Sequence, residues 1–425
     1  MRTFLGLVVP ALVVAAGVPA WAQTPPATPQ EQMEVQPEPG ERDTVTTRQR
    51  PEYDPLGVRL GGFFLYPQAE LSEVYRDNIF YSDGNEESDF ITVLSPSLLL
   101  KSNWNNHALN LFADADIGRH MDNSDEDYED WRTGFDGRVD IDRSANITGG
   151  FQFAERHENR SSPDSPTDAA EPVTYSEYGP QAAIFKRFNR LSMRLGGDLK
   201  VLDYDDATTI AGSTLDQDGR DRMETEGSFR MGYEIVPQYE AFVQGAVNQR
   251  DYDETGTVNR DSQGWEGRAG VALDLGGLMF GNVFVSYMSQ DFDDPTLETI
   301  DGPGFGGDLT WNPTRLTTAK FAAQRTIEET TLGGAAGSLS TQVRVGVDHE
   351  LLRNVILSAD AAYENNDYEG ISREDDIISF GGGGDYLLNR YVRLRLRYTY
   401  ETRDSTAAGS DYDTNTVFLR LVTQY

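Results

Sequence analysis

From Phe63 to Tyr425 the chain alternates apolar and polar residues with a period of two, run after run. Successive side chains of a strand point to opposite faces, so such alternation makes one face apolar and the other wet. Leu109, Leu111, Ala113, Ala115 and Ile117 share one face, while Asn110, Asp114, Asp116 and Gly118 share the other. Trp131, Thr133, Phe135, Gly137, Val139 and Ile141 likewise oppose Arg132, Asp136, Arg138 and Asp140. Eighteen runs of this kind follow one another, from one near 63–80 to one at 413–425, with no convincing amphipathic helix among them.

The connections between runs alternate in length. Tight ones, such as 102–106, 236–238 and 388–390, take turns with longer acidic ones, such as 161–172, 205–220 and 403–413. Strands of about ten residues with short turns at one end and longer loops at the other describe a barrel in a bacterial outer membrane. The expected fold is therefore all-β, a transmembrane antiparallel barrel of about eighteen strands, with both termini and the tight turns periplasmic. A propeller would need four short strands and a motif per blade, and neither is present. A soluble sandwich would give no reason for loop lengths to alternate.

The aromatic residues agree. Trp104, Trp131, Trp265 and Trp311 sit at run ends on the apolar parity, two at each end, and Tyr425 closes the last run. That placement predicts aromatic girdles at both membrane interfaces. A mean hydropathy of −0.53 does not conflict, because only alternate residues would meet lipid.

The segments before Phe63 differ. Met1-Arg2, the apolar run Phe4 to Val18 and the Ala20-Trp21-Ala22 site read as a secretory signal peptide over 1–22, cleaved after Ala22. An uncleaved anchor is the alternative, but the run is short of the about 20 apolar residues that a span requires. Residues 23–57 are rich in proline and poor in apolar residues, which predicts a disordered periplasmic tail. The barrel is expected over 58–425.

Charge excludes further classes. The net charge of −34 argues against nucleic-acid binding, and zero cysteines exclude disulfides, thiol catalysis and thiolate metal sites. The four histidines, His107, His120, His157 and His349, form no catalytic or metal spacing, so an enzyme is not expected and neither is a cofactor or a metal. His120 reads as a rim histidine bonded to an acidic neighbour. Asp216-Gln217-Asp218-Gly219 matches part of a calcium loop but lacks the terminal glutamate.

Period two sends the acids Asp114, Asp116, Asp136 and Asp140 to the lumen. It also sends Arg393, Arg395 and Arg397 there as a ladder, joined by Arg420 from the last strand. Two readings of this ladder stand: an anion-attracting stripe, or wall salt bridges to Asp385 and Glu70. Arginine facing hydrocarbon would cost about 2–4 kcal/mol near the midplane, which rules out the opposite parity.

The opening of the barrel resembles the putative β-barrel porin 2 family of Gram-negative outer membranes. The resemblance rests on Tyr66-Pro67 with Ala69 and Leu71, Asp77-Asn78-Ile79-Phe80 and Ser88-Asp89-Phe90-Ile91. It continues through Pro96-Ser97-Leu98, Ser102-x-Trp104-x-x-His107 and Phe112 to Arg119. It covers roughly 63–120 closely and the remaining hairpins diffusely. The resemblance implies a pore that exports an exopolysaccharide or related polymer, partnered by periplasmic export proteins as well as membrane lipid and lipopolysaccharide. A general or sugar-selective diffusion porin is the second reading and an adhesive surface barrel the third. A diffusion porin calls for a long loop folded into the pore, for which 161–172 and 205–220 are the candidates.

Overall fold

The computed structural model describes residues 42–254 and 258–425. The expected signal peptide, its cleavage site and the tail up to residue 41 lie outside the described residues.

Alternation produces strands, and the strands close on one another. β1 (Phe63–Arg76), β2 (Asp89–Ser102), β3 (Ala108–His120), β4 (Tyr128–Asp142), β5 (Ala145–His157) and β6 (Thr174–Phe188) begin the wall. It continues through β7 (Leu191–Tyr204), β8 (Arg222–Val236), β9 (Tyr239–Tyr252), β10 (Ser262–Asp274), β11 (Met279–Phe292) and β12 (Ile300–Thr314). β13 (Thr317–Glu328), β14 (Gly337–Leu352), β15 (Val355–Glu369), β16 (Arg373–Leu387), β17 (Val392–Ser405) and β18 (Tyr412–Gln424) complete it. Every strand pairs antiparallel with its neighbours, and β18 returns to β1 in a register from Gln68↔Gln424 to Arg76↔Thr416. Closure removes the edges that would leave backbone groups unpaired in hydrocarbon. The fold is a closed antiparallel barrel of eighteen strands, as the alternation predicts. Among the described residues no helix is long and apolar enough to cross a membrane.

Turns of two to five residues join the strands at one end, and five of the eight have two. Asn189-Arg190 is one, and Asn189 takes φ 55°, the left-handed geometry that matches hairpin twist. Longer loops occupy the other end, with one exception. The connection expected over 368–375 is cut to 370–372, because β15 and β16 stay paired up to Tyr368↔Arg373. The run expected to reach residue 80 stops at Arg76. Asp77 there accepts the backbone N–H of Asn415 at 2.7 Å, and the Asn78 side chain accepts that of Ser82 at 3.1 Å. These side chains take over backbone partners and turn the chain.

The barrel has no continuous dry interior. Lipid-parity residues such as Phe135, Val247, Val285, Phe380 and Leu419 are exposed on the outside. Two small apolar nuclei lie inside the wall. Met288, Ile300, Ile327, Ala336 and Leu339 pack near the loop end, and Val74, Ile91, Val93 and Phe418 pack near the closing seam.

The end of the expected tail is not disordered. Residues 42–57 lie as a collar along the turn end of the inner wall. Arg42 donates to Asp274 of β10 at 2.6 Å, and Arg50 donates to Glu350 of β14 at 2.7 Å. Val45, 1% exposed, is seated by its N–H on the Thr318 hydroxyl of β13 at 2.9 Å. The Tyr53 carbonyl accepts from Gln424 of β18 at 3.1 Å, and a three-residue strand, Val58–Leu60, pairs with β1. The composition argument failed here for a physical reason. A polar segment that cannot build its own core can still dock where a charged wall supplies its partners.

Candidate functional site

The pore wall is the place where this chain's chemistry can act, and its charges are paired. The register sets Arg395 opposite Arg420 on one side and opposite Asp385 on the other. Arg395 donates to Asp385 at 2.8 Å, while Arg393 lies 3.9 Å from the same carboxylate oxygen. Arg397 reaches across β16 to Asp360 of β15 at 2.6 Å, a partner that pairing along neighbouring strands does not suggest. Arg420, with no exposed surface, donates to Glu70 at 2.6 Å and to the Ser72 hydroxyl at 2.8 Å, with its guanidinium over the Phe418 ring. The ladder is thus a cluster of four guanidiniums on three carboxylates.

The four lumen acids take separate partners. Asp114 accepts from Arg132 at 2.8 Å, and Asp136 accepts from Asn110 at 2.8 Å. Asp140 accepts from Arg138 at 3.3 Å and from the His107 backbone N–H at 2.9 Å. Asp116 accepts from the Ser95 hydroxyl. They do not converge on a common point of chemistry. His120 sits beside Asp127, 3.7 Å away, rather than against Asp116.

Trp104, Trp131, Trp265, Trp311 and Tyr425 all lie exposed on the outer face of the barrel. Trp131, Phe153 and Tyr178 stack across β4, β5 and β6, and Trp265 stacks on Tyr287. Outside the wall, the carboxylates of Asp206, Asp216 and Asp218 lie within 4.8 Å of one another in an exposed loop.

The residues that sequence reasoning missed are those holding the β5–β6 loop, 158–173, inside the mouth. Its root is fixed by Glu158, which takes two donors from Arg220 of the β7–β8 loop, at 2.6 and 3.0 Å. Arg160 pairs with Glu126 of the β3–β4 loop at 2.6 Å. The tip then reaches the far wall. Arg403 of β17 donates to the Ser161 carbonyl at 2.9 Å. Asp164 accepts from the Thr330 hydroxyl at 2.7 Å and the Thr331 N–H at 2.8 Å, in the loop between β13 and β14. From β5 to β13 is eight steps round an eighteen-strand wall, so the loop spans the mouth almost along a diameter. Arg260 stiffens the receiving loop by donating to the carbonyls of Thr330, Leu332 and Ala335. Glu158, Arg220 and Arg403 are buried, so these are desolvated contacts and not surface ion pairs.

Solved structures with similar folds include Pseudomonas aeruginosa OccK2 (OpdF), at 9% identity over 86% of this chain and 98% of that chain, with a TM-score of 0.47. A BenF-like porin from Pseudomonas fluorescens Pf-5 matches at 10% identity over 85% and 99%, with a TM-score of 0.45. Pseudomonas aeruginosa OccK3 (OpdO) matches at 14% identity over 85% and 95%, with a TM-score of 0.44. No curated protein matches the chain. The sequence profile of the family described as putative beta-barrel porin 2 matches residues 50–425, nearly the whole described chain and far beyond the strands that carry the resemblance. On that match the chain belongs to the putative beta-barrel porin 2 family and is an outer-membrane β-barrel porin.

Proposed function

We propose that this barrel is a diffusion porin for small polar solutes, with the 158–173 loop as its constriction. The carrying observation is the pair of far-wall contacts, Arg403 to the Ser161 carbonyl and Asp164 to Thr330 and Thr331. A loop held on both sides of the mouth by buried and half-buried polar bonds divides a wide lumen into narrower passages. The walls of those passages carry paired charges, which suits hydrated solutes and gives an apolar cargo no matching surface.

The export reading, placed first on the family resemblance, is set behind the porin reading. The family match carries no association with polysaccharide clusters. A polymer wider than these passages would also have to displace the far-wall contacts of Ser161 and Asp164.

The test uses the purified full-length mature protein in planar bilayers and liposomes. Excision of residues 159–171 with a short Gly-Ser bridge should raise single-channel conductance several-fold and admit larger sugars in liposome swelling. In cells, loss of the protein should reduce small-solute uptake and leave surface polymer unchanged. The opposite pair of cellular results would restore export.

A further inference from the structure

The collar, residues 42–57, lies against the inner wall at the opposite end of the same pore. Its path follows the inner wall in order, from the Val58–Leu60 strand on β1, past β18 and the β16–β17 turn, to β14, β13 and β10. Tyr53 is held by Gln424, Pro51 by Arg390, Arg48 and Arg50 by Glu350, Val45 by Thr318, and Arg42 by Asp274. The Asp43 carbonyl accepts from Asn312 at 3.1 Å, and Arg42 lies over the lumen-facing ring of Phe280. From β1 to β10 is half the circumference.

The kind of attachment differs along this path. At one end Val58–Leu60 forms regular backbone pairs with Phe63–Leu65, and Gly57 takes φ +69° against the Tyr66 ring, where an added Cβ would lie 2.7 Å from that ring. Beyond Gly57 no strand pairing is made. Single hydrogen bonds and ion pairs hold the collar, two of its arginines share the one Glu350 carboxylate, and Val45 is the apolar residue that it buries. One end is built like wall and the other like a latch.

We propose that residues 42–57 form a displaceable gate, hinged at Gly57 and latched on Glu350, Thr318 and Asp274, which lowers conductance when docked. This goes beyond the loop constriction and rests on the pore reading for its electrical readout. The segment lies before the first wall strand, so it can leave the wall without opening the barrel seam.

The chain has no cysteine, so an engineered pair is the sole disulfide available. Val45→Cys with Thr318→Cys should form one when the collar is docked. In bilayers the oxidised double variant should stay at a low conductance level, and reduction should restore transitions to a higher one. Deletion of 42–54 should hold the pore at the higher level, at least twofold above the locked form. One common level in the oxidised, reduced and deleted forms would overturn the gate. Absence of current in every form would instead remove the porin reading. Thiol labelling of a Val45→Cys single variant in detergent then decides the collar by itself. A bulky maleimide should react at least tenfold faster when Glu350→Gln and Asp274→Asn are added, and equal rates would overturn the latch.

Discussion

Replacing Arg393, Arg395 and Arg397 together by Gln tests whether the ladder acts on ions or only braces the wall. As built, four guanidiniums meet Asp385, Asp360 and Glu70, leaving the patch near +1. After the change Arg420 alone faces the same three carboxylates, near −2, a swing of three charges. At about 10 Å in water that swing shifts a monovalent ion by about 1.2 kcal/mol, and screening over a Debye length of ~10 Å at 0.1 M salt leaves about 0.5 kcal/mol. A cation gains what an anion loses, so the cation-to-anion permeability ratio should rise about fivefold. The assay is the reversal potential of the folded variant under a salt gradient in a planar bilayer. At 1 M salt the effect should shrink, because the Debye length falls to about 3 Å. An unchanged reversal potential in a folded barrel would refute the reasoning and leave the ladder as wall bracing.

Three further outcomes follow from particular contacts. Glu70→Gln leaves the Arg420 guanidinium buried without its carboxylate at the closing seam, and should cost about 3–5 kcal/mol in urea unfolding, while Glu70→Leu with Arg420→Met recovers most of it. Asp221 is pushed up to about 6 by burial and by its neighbours Asp203, Asp218 and Asp253, against an ordinary value of 3.8. The ionised form is thus the one the folded loop disfavours, and Asp221's contribution to the loop's stability is fully present below pH 3.8 and lost as pH rises through about 6. Proteolysis of 205–221 should be slower at pH 5 than at pH 7.5, and Asp221→Asn should flatten that difference. For orientation, epitope tags at the exposed Ile210 and Ala408 should be reached on intact cells and a tag at Asn105 should not; the reverse labelling would invert the barrel.

The wall was legible because its physics is local. A strand in a membrane barrel needs a lipid face and a wet face at every second residue, so β4, β8 and β9 begin and end where the alternation begins and ends. The ladder's parity was legible for the same reason, and so were Asp385 and Glu70 as partners. Asp360 was not, since Arg397 reaches past the intervening β16 to find it. Ala169 shows the opposite failure. It reads as the middle of a solvated loop, yet it is buried and bridged to Thr209, because its loop turns inward.

Both inward segments escaped the pattern for one reason. Hydropathy marks a segment that folds onto an apolar surface, but the surface offered here is the polar interior of a wide barrel. What docks there must bring charge and hydrogen-bonding groups, so 42–57 and 158–173 resemble solvated chain in composition. Their signal lies instead in the wall, where charged residues stand at lumen parity near strand ends. Glu350 and Asp274 mark the turn end and Arg403 the loop end. Each would be costly if buried alone, since an unpaired charge in low dielectric has no compensation. A lumen-parity charge at a strand end without an opposite charge on the adjacent strands therefore calls for a partner from outside the wall. For Glu350 the residue across the register on its own hairpin is Ile356, its backbone N–H goes to the Leu316 carbonyl, and the partner of its carboxylate is the collar. Replacing a wall charge of this kind should loosen the segment it holds rather than the barrel itself, and that separates latch residues from bracing residues such as Arg420.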